Sequence, residues 1–562
     1  MKKEKLLDLL SQMTLEEKIG QLVQTKGELF LNTENIITGP QDNLYYSDEQ
    51  LYQVGSILNL SGSQNVKKVQ DLYLSKNRLG IPLLFTGDVI NGYKTIFPIP
   101  LLQGCSWDLD LVYNCAFISS KEAGYAGIQA NFSPMVDLVR DSRWGRVLES
   151  IGGEDVLLSS LYAKKIIEAH HSNNMGTCAK HFIGYGAVEG GKEYNFVDMS
   201  KRELLQYYLP SFKACIDSGV DMIMPSFSTF NGIPCTVNSW LLKDLLRNYL
   251  KFNGVIISDY SSIVETIAHS YSTDKKDAAK KAIKSTVDID MMTDCYLLNL
   301  KDLVLSSIIP MNYLDDSVFR VLNFKNKLGL FENPYGNTNS NKEKSFILSK
   351  DNLELARKYT SESLVLLENK DNILPLNKNS KIALIGPYSD NVNISGSWSI
   401  YNKNKDKTIT VKQGLLDYLE LDDIPCSNGC PVLPEDELNT ILSMEGIAPI
   451  SYKNKSVYKE IQEAISIAQK ADIIILAIGE HYKQSGEGAS RSNIEIPKIQ
   501  QDLLDALYTL KKPIVALVFS GRPLALKSIV NKVSALLWVG FPGTEGGHAI
   551  CDLLFGRTNP SR

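Results

Sequence analysis

Residues 155–181 read DVLLSSLYAKKIIEAHHSNNMGTCAKH, an amphipathic stretch from Asp155 to Ala169 followed by a short run, Gly176–His181. Apolar residues three and four positions apart mark a helix, and the brief run after it marks a buried strand. A helix of this length is what carries a chain back across a parallel sheet. The same unit recurs on both sides. Upstream strand candidates are Val54–Asn59, Leu83–Asp88 and Ala130–Met135; downstream ones are Asp221–Ser226, Val255–Asp259 and Val287–Met292. Leu204–Ser218 and Ser239–Leu250 are further crossover helices, and Ile19–Val23 supplies an eighth strand. Eight such units ending near Leu330 suit a closed (β/α)8 barrel of the TIM type better than an open doubly wound sheet.

The chain has 562 residues, more than one core organises, so a second domain is expected. The polar run GNTNSNKEKS, Gly336–Ser345, has the composition of a linker. The expected division is therefore a barrel over 1–335, a joint over 336–350 and an open α/β sandwich domain over 351–562. Buried strands in the last part are Lys381–Gly386, Asp472–Gly479, Pro513–Ser520 and Ala535–Val539.

Hydrophobic residues make up 44 % and charged residues 22 %, which excludes a disordered chain or a disulfide miniprotein. Lys and Arg number 59 against 64 Asp and Glu, and no basic run could neutralise a row of phosphates, which argues against nucleic acid as a partner. Nine cysteines without a CxxC, only Cys426 and Cys430 being close together, point to a reducing compartment. The N-terminal MKKEKLLDLLSQMTLEEKIGQL interleaves charges with leucines, so it reads as an amphipathic helix and not as a signal peptide. Apolar runs such as Ala471–Gly479 fall far short of the roughly 20 residues a membrane helix needs. A cytoplasmic protein without membrane contact is expected.

In such a barrel the C-terminal strand ends face the substrate. Here they are polar: Thr86-Gly87-Asp88, Lys180-His181 and Ser258-Asp259-Tyr260, with Arg143-Trp144-Gly145-Arg146 on a loop between them. Singly, each aspartate reads as a helix cap and the histidine as a bonded core residue. Together, carboxylates that accept sugar hydroxyls and cations that donate to carbohydrate oxygens describe a pocket for a polyhydroxylated substrate. The six histidines show no HExxH spacing, so no metal is expected, and His170-His171 reads as the exposed end of a helix. Gly543-Thr544-Glu545-Gly546-Gly547 fits neither GxGxxG nor a P-loop; it reads as a tight turn, and no cofactor is implied.

CAKHFIGYGAVEGGKEYNFVDMS (Cys178–Ser200) followed by NGVIISDY (Asn253–Tyr260) resembles the family 3 glycoside hydrolases, bacterial β-glucosidases in particular. Ile81–Leu101, Asn131–Arg146, Lys325–Tyr335, Leu366–Leu376, Ile478–Leu507 and Val515–Leu526 continue the resemblance in order over nearly the whole chain. It implies a retaining exo-glycosidase that removes a terminal β-D-glucosyl residue from a small glycoside or oligosaccharide, with the active site between the two domains. Asp259 would be the nucleophile, and Glu487, in the loop Ser485-Gly486-Glu487-Gly488, the general acid/base. Asp88, Arg146, Lys180 and His181, with Met224 and Tyr260 beside them, would bind the terminal sugar. Glu480 is the rival acid, and Arg491 would order the loop through a carboxylate pair.

The chemistry matches those roles. Acetal cleavage passes through an oxocarbenium-like state that a carboxylate stabilises and can trap, while the leaving oxygen needs a carboxyl still protonated near neutral pH. The two residues are so distant in sequence that only docking of the domains can bring them together.

Some positions depart from the family pattern. Asn91 stands where the family has His, which is expected to alter the orientation of Asp88. Phe227 replaces a Tyr whose hydroxyl would touch the nucleophile. The loop ESIGGED (Glu149–Asp155) carries an extra glycine and is followed by Val156 in place of Pro, and Ser285-Thr286 replaces an Ala-Gly pair. The terminal GRTNPSR is shorter than the family's usual ending, from which an unpaired sheet edge, covered by a second copy in a homodimer, is expected. These departures keep a non-catalytic sugar-binding protein as the alternative, and β-xylosidase is the close one. A β-N-acetylglucosaminidase is disfavoured because Gly184–Glu189 lacks an Asp-Ser-His motif.

Overall fold

The computed structural model describes all residues except 32–43, 45, 404, 445–446, 453–455 and 561–562. The last two residues of GRTNPSR thus lie outside the described residues.

The first strand starts later than the sequence suggests. Thr14 caps the helix Leu15–Gln21 by accepting from the Glu17 N–H, while the Glu17 carboxylate accepts from the Thr14 N–H. This reciprocal cap holds Ile19 in helix, and strand β1 is Val23–Lys26 rather than Ile19–Val23. The remaining barrel strands are β2 (Ser56–Leu58), β3 (Leu84–Gly87), β4 (Ala130–Asn131), β5 (Gly176–Phe182), β6 (Met222–Pro225), β7 (Val255–Ile256) and β8 (Asp290–Met291).

All eight pair in parallel, in the order β8-β1-β2-β3-β4-β5-β6-β7. A parallel bridge between Ile257 and Ile289 joins the two outer strands, with Ser258 N donating to Ile289 O at 2.9 Å. The result is the TIM-like barrel. The crossovers form where apolar periodicity places them: Asp155 accepts from the Leu158 N–H at 2.8 Å and caps Val156–Ser172, and Trp240–Tyr249 is helical. The N-terminal helix is Lys3–Gln12, with Leu6 and Leu10 buried.

His170 does not lie at an exposed helix end. It is buried, its Nδ1 meeting Ile166 O at 2.8 Å and its Nε2 meeting the Asn131 amide at 3.0 Å. The neighbouring helix and β4 enclose it before the helix ends. His171 is half-buried against Asp221 at 2.9 Å.

The second sheet contains β9 (Val365–Asn369), β10 (Ile382–Ile385), β11 (Cys426–Ser427), β12 (Ile473–Gly479), β13 (Ile514–Phe519) and β14 (Ala535–Trp538). Its order is β9-β14-β13-β12-β10-β11, and only β9 runs antiparallel to its neighbour. All seven residues of β12 are buried, as a central strand packed on both faces requires. β9 is half-buried at an edge and β11 has two residues, so neither presents the continuous apolar run that marks the other four.

Between the sheets, Ser340–Phe346 forms a helix. Asn339 caps it by accepting from the Asn341 and Lys342 N–H groups, and Glu343 accepts from the Ser63 N–H. The turn Gly543–Gly547 packs against the barrel, where Thr544 Oγ1 accepts from the Ile96 N–H at 3.0 Å.

Candidate active site

The polar ends of β3 and β5 and the loop after β4 converge at the barrel mouth. Asp88 lies one residue beyond β3, with Lys180 Nζ 3.3 Å from its Oδ1 and the Asn59 amide donating to Oδ2 at 3.3 Å. Arg146 sits in the helical turn Gly145–Glu149 and is 2 % exposed. Its fork donates to both oxygens of Glu149, at 2.7 and 3.1 Å, which fixes the plane of the guanidinium. Met224, at the end of β6, is in register with Lys180 on β5. All of these side chains are buried, so their charges act in a low-dielectric setting.

His181 is fully buried, its Nδ1 2.7 Å from Asp137 Oδ2 and its Nε2 3.5 Å from Asp259 Oδ2. Burial, together with the positive charges of Arg146 and Lys180, holds the imidazole well below its ordinary pKa, so it is neutral. Burial also pushes Asp137 up to about 8.

Asp259 follows β7 and is buried; its Oδ1 accepts from the Tyr260 N–H at 2.7 Å. Its Oδ2 has no hydrogen-bond partner among the described residues. One oxygen is pinned by backbone and the other is left to meet a ligand. Burial raises this carboxyl to about 7; the nearby Glu487 charge adds to the rise, while Arg146 and Lys180 oppose it.

Glu487 arrives from the second domain and reaches the same guanidinium, its Oε1 lying 3.8 Å from Arg146 Nη1. The Tyr194 hydroxyl donates to that oxygen at 2.9 Å. Burial raises the Glu487 pKa, Arg146 opposing. Two glycines make this approach feasible. Gly486 N donates to Gly145 O at 2.8 Å, and a Cβ on Gly145 would collide with the Gly486 carbonyl. Gly486 also has φ +119°, a conformation side chains rarely adopt.

Glu480 plays a different part. It is fully buried and paired with Arg491 at 2.8 Å and Arg522 at 3.1 Å, and it accepts from the Gly521 N–H. It therefore orders the loop and has no path to the mouth. Arg522 extends this role, donating to the carbonyls of Gln484 and Ala489 in the loop and of Ser142 and Arg143 in the barrel.

Several contributors were not read from the sequence. A second segment of the later domain, 395–402, covers the pocket. The Trp398 ring lies 5.4 Å from the Arg146 guanidinium and 5.3 Å from Lys180 Nζ, and its buried Nε1 has no hydrogen-bond partner among the described residues. The Tyr401 hydroxyl donates to Asn59 Oδ1 at 2.8 Å, and through Asn59 it bears on Asp88. Asn91 donates to Ser395 O at 2.8 Å, so this amide tethers the covering segment to the loop that carries Asp88. Phe227 packs edge-on against Tyr194 and tilted against Tyr185. Only the isolated aromatics in SGSWSIY (395–401) hinted at this wall; nothing in the sequence told where they dock. Among the described residues no cluster of side chains is arranged to hold a metal ion.

Residues 14–324 match the Glycosyl hydrolase family 3 N terminal domain, and residues 364–561 match the Glycosyl hydrolase family 3 C-terminal domain. A periplasmic beta-glucosidase of Salmonella typhimurium is 37 % identical over 99 % of this chain and 72 % of its own. A beta-xylosidase of Formosa agariphila is 30 % identical over 86 % of this chain and 69 % of its own. The crystal structure of a beta-glucosidase from Listeria innocua in complex with isofagomine superposes with a TM-score of 0.91 at 40 % identity, covering all of this chain and 75 % of that one.

Proposed function

The chain belongs to glycosyl hydrolase family 3, and from that premise we propose a retaining exo-β-glucosidase in which Asp259 is the nucleophile and Glu487 the general acid/base. The observation that carries this reading is the meeting of two carboxyl groups, one from each domain, around one guanidinium: Asp259, whose Oδ2 makes no hydrogen bond among the described residues and has His181 Nε2 3.5 Å away, and Glu487, 3.8 Å from Arg146.

In this reading Asp88, Lys180, Arg146 and His181 bind the hydroxyls of the terminal sugar, with Met224 and Tyr260 lining the same end. Burial raises both carboxyl pKa values, the Glu487 charge adding to the rise at Asp259 and the Glu149 charge to the rise at Glu487, which favours keeping a proton at the site. Glu487 gives that proton to the glycosidic oxygen as Asp259 bonds to the anomeric carbon. The charge on Asp259 is thereby consumed in the ester, the pKa of Glu487 falls, and as a carboxylate it takes a proton from the incoming water. Water attack then frees Asp259 and releases the sugar with its configuration retained.

The joint between barrel and second domain falls at 336–350. For compartment, nine cysteines without a disulfide favour a reducing interior, which cell fractionation reads directly.

Azide trapping tests the two roles. Asp259→Ala is expected to lose turnover of a nitrophenyl β-glucoside by about 10⁴-fold or more and to give α-glucosyl azide on rescue. Glu487→Ala is expected to keep rapid glucosylation by a dinitrophenyl glucoside and to give β-glucosyl azide. Turnover of β-xylosides above β-glucosides would assign the protein to the xylosidases, and no turnover across both would favour a sugar-binding protein.

A further inference from the structure

We propose that Tyr194 is a positioning residue for the acid/base carboxyl, a barrel side chain that holds the second domain's Glu487 in its working orientation. This rests on the assignment of Glu487 as the acid. The phenol donates to Glu487 Oε1 at 2.9 Å, the same oxygen that faces Arg146 Nη1 at 3.8 Å. With Oε1 held from two sides, the carboxyl cannot rotate freely, and Oε2 is left to exchange the proton.

The contact is built from both ends. The preceding residue, Glu193, donates its N–H to Ser490 Oγ at 3.0 Å, so the dipeptide touches the loop on either side of Gly488. The Tyr194 ring stands edge-on against Phe227, 5.0 Å between centroids at 89°, and Phe227 in turn leans on Tyr185. Tyr194 itself has φ +64°, unusual for an aromatic residue, in a turn closed by Asn195 N to Lys192 O and by the Asn195 amide to Glu189 O. The loop spends conformational freedom to aim this hydroxyl across the domain boundary.

The charged groups around Glu487 among the described residues are Arg146, Lys180, Glu149, Asp259, Glu193 and Glu265. The nearest of these with a printed distance, Arg146, stands at 3.8 Å, whereas the neutral Tyr194 hydroxyl makes a hydrogen bond at 2.9 Å. A phenol donating to a carboxylate favours the ionised form, so its removal raises the pKa of Glu487.

The test compares Tyr194→Phe with Glu487→Ala on an alkyl β-glucoside, whose leaving group needs protonation, and on a dinitrophenyl β-glucoside, which does not. Phenylalanine keeps the ring contact with Phe227, and thermal unfolding checks that the fold is kept. Tyr194→Phe is expected to lower kcat/KM about 10- to 100-fold on the alkyl glucoside and only a few-fold on the other. The alkaline limb of its pH profile should move up by roughly half a unit. Equal losses on both substrates, or an unmoved limb, while Glu487→Ala does discriminate, would overturn this inference alone. Lack of discrimination in Glu487→Ala would overturn the assignment of the acid and this inference with it.

Discussion

The two carboxyl groups of the site are held in opposite ways. Asp259 follows closely on a barrel strand; its backbone neighbour pins one oxygen, and the cations whose charges act on it, Arg146 and Lys180, belong to the same barrel. Glu487 stands on a glycine-flanked loop, its side chain is 21 % exposed, and its orientation comes from Arg146, Tyr194 and the Arg522 network, nearly all of it outside its own segment. The first arrangement is a property of the fold; the second exists only while two domains touch. On the proposed roles, a site divided in this way would keep the covalent chemistry on the barrel and give proton transfer to a loop of the second domain.

The largest effect should come from the loop's anchor. Arg522→Met leaves Glu480 buried with one cation instead of two and should cost about 3–5 kcal/mol of stability, read by urea unfolding. An unchanged stability would mean that the loop has supports other than this pair. On the barrel side, Asp259→Asn should do the reverse. The Asp259 carboxyl has a folded-state pKa of about 7, above the roughly 3.9 of an unfolded aspartate, so the wild type binds its proton more tightly when folded. Stability from this group is complete below the unfolded value and is lost as pH rises toward 7. The asparagine variant should therefore match the wild type near pH 4 and exceed it by about 2–4 kcal/mol above neutrality, measured as melting temperature against pH. A difference independent of pH would contradict the burial argument. The smallest effect should be Tyr401→Phe, which removes the hydroxyl that holds Asn59 against Asp88: about 1 kcal/mol, seen as a several-fold rise in KM with kcat kept. A fall in kcat instead would show that the covering segment serves the acid and not the glycone.

Legibility in the sequence followed the same division. Each barrel strand after the first falls on its expected run, β5 alone continuing one residue further to Phe182, because a buried strand must be apolar over its length and a polar residue at its end must face the mouth. Ile19 lies in helix and not in a strand since a cap formed by Thr14 and Glu17 competes with an apolar run that fits either structure. β9 and β11 leave no strand signal in the sequence because one is a half-buried edge and the other is two residues long. Glu480 and Glu487, both acids near the end of β12, differ in their partners more than in their neighbours, and Arg522 lies dozens of residues away.

By itself the sequence determined the two α/β architectures, the strand-end residues Asp88, Lys180, His181 and Asp259, and the family to which the chain belongs, since periodicity and short motifs are local quantities. Tertiary structure alone decided what each of the two candidate acids touches, which aromatic ring lies beside Arg146 and Lys180, and which tyrosine donates to Glu487. Those outcomes depend on the docking of surfaces hundreds of residues apart, and no local pattern encodes the distance between them.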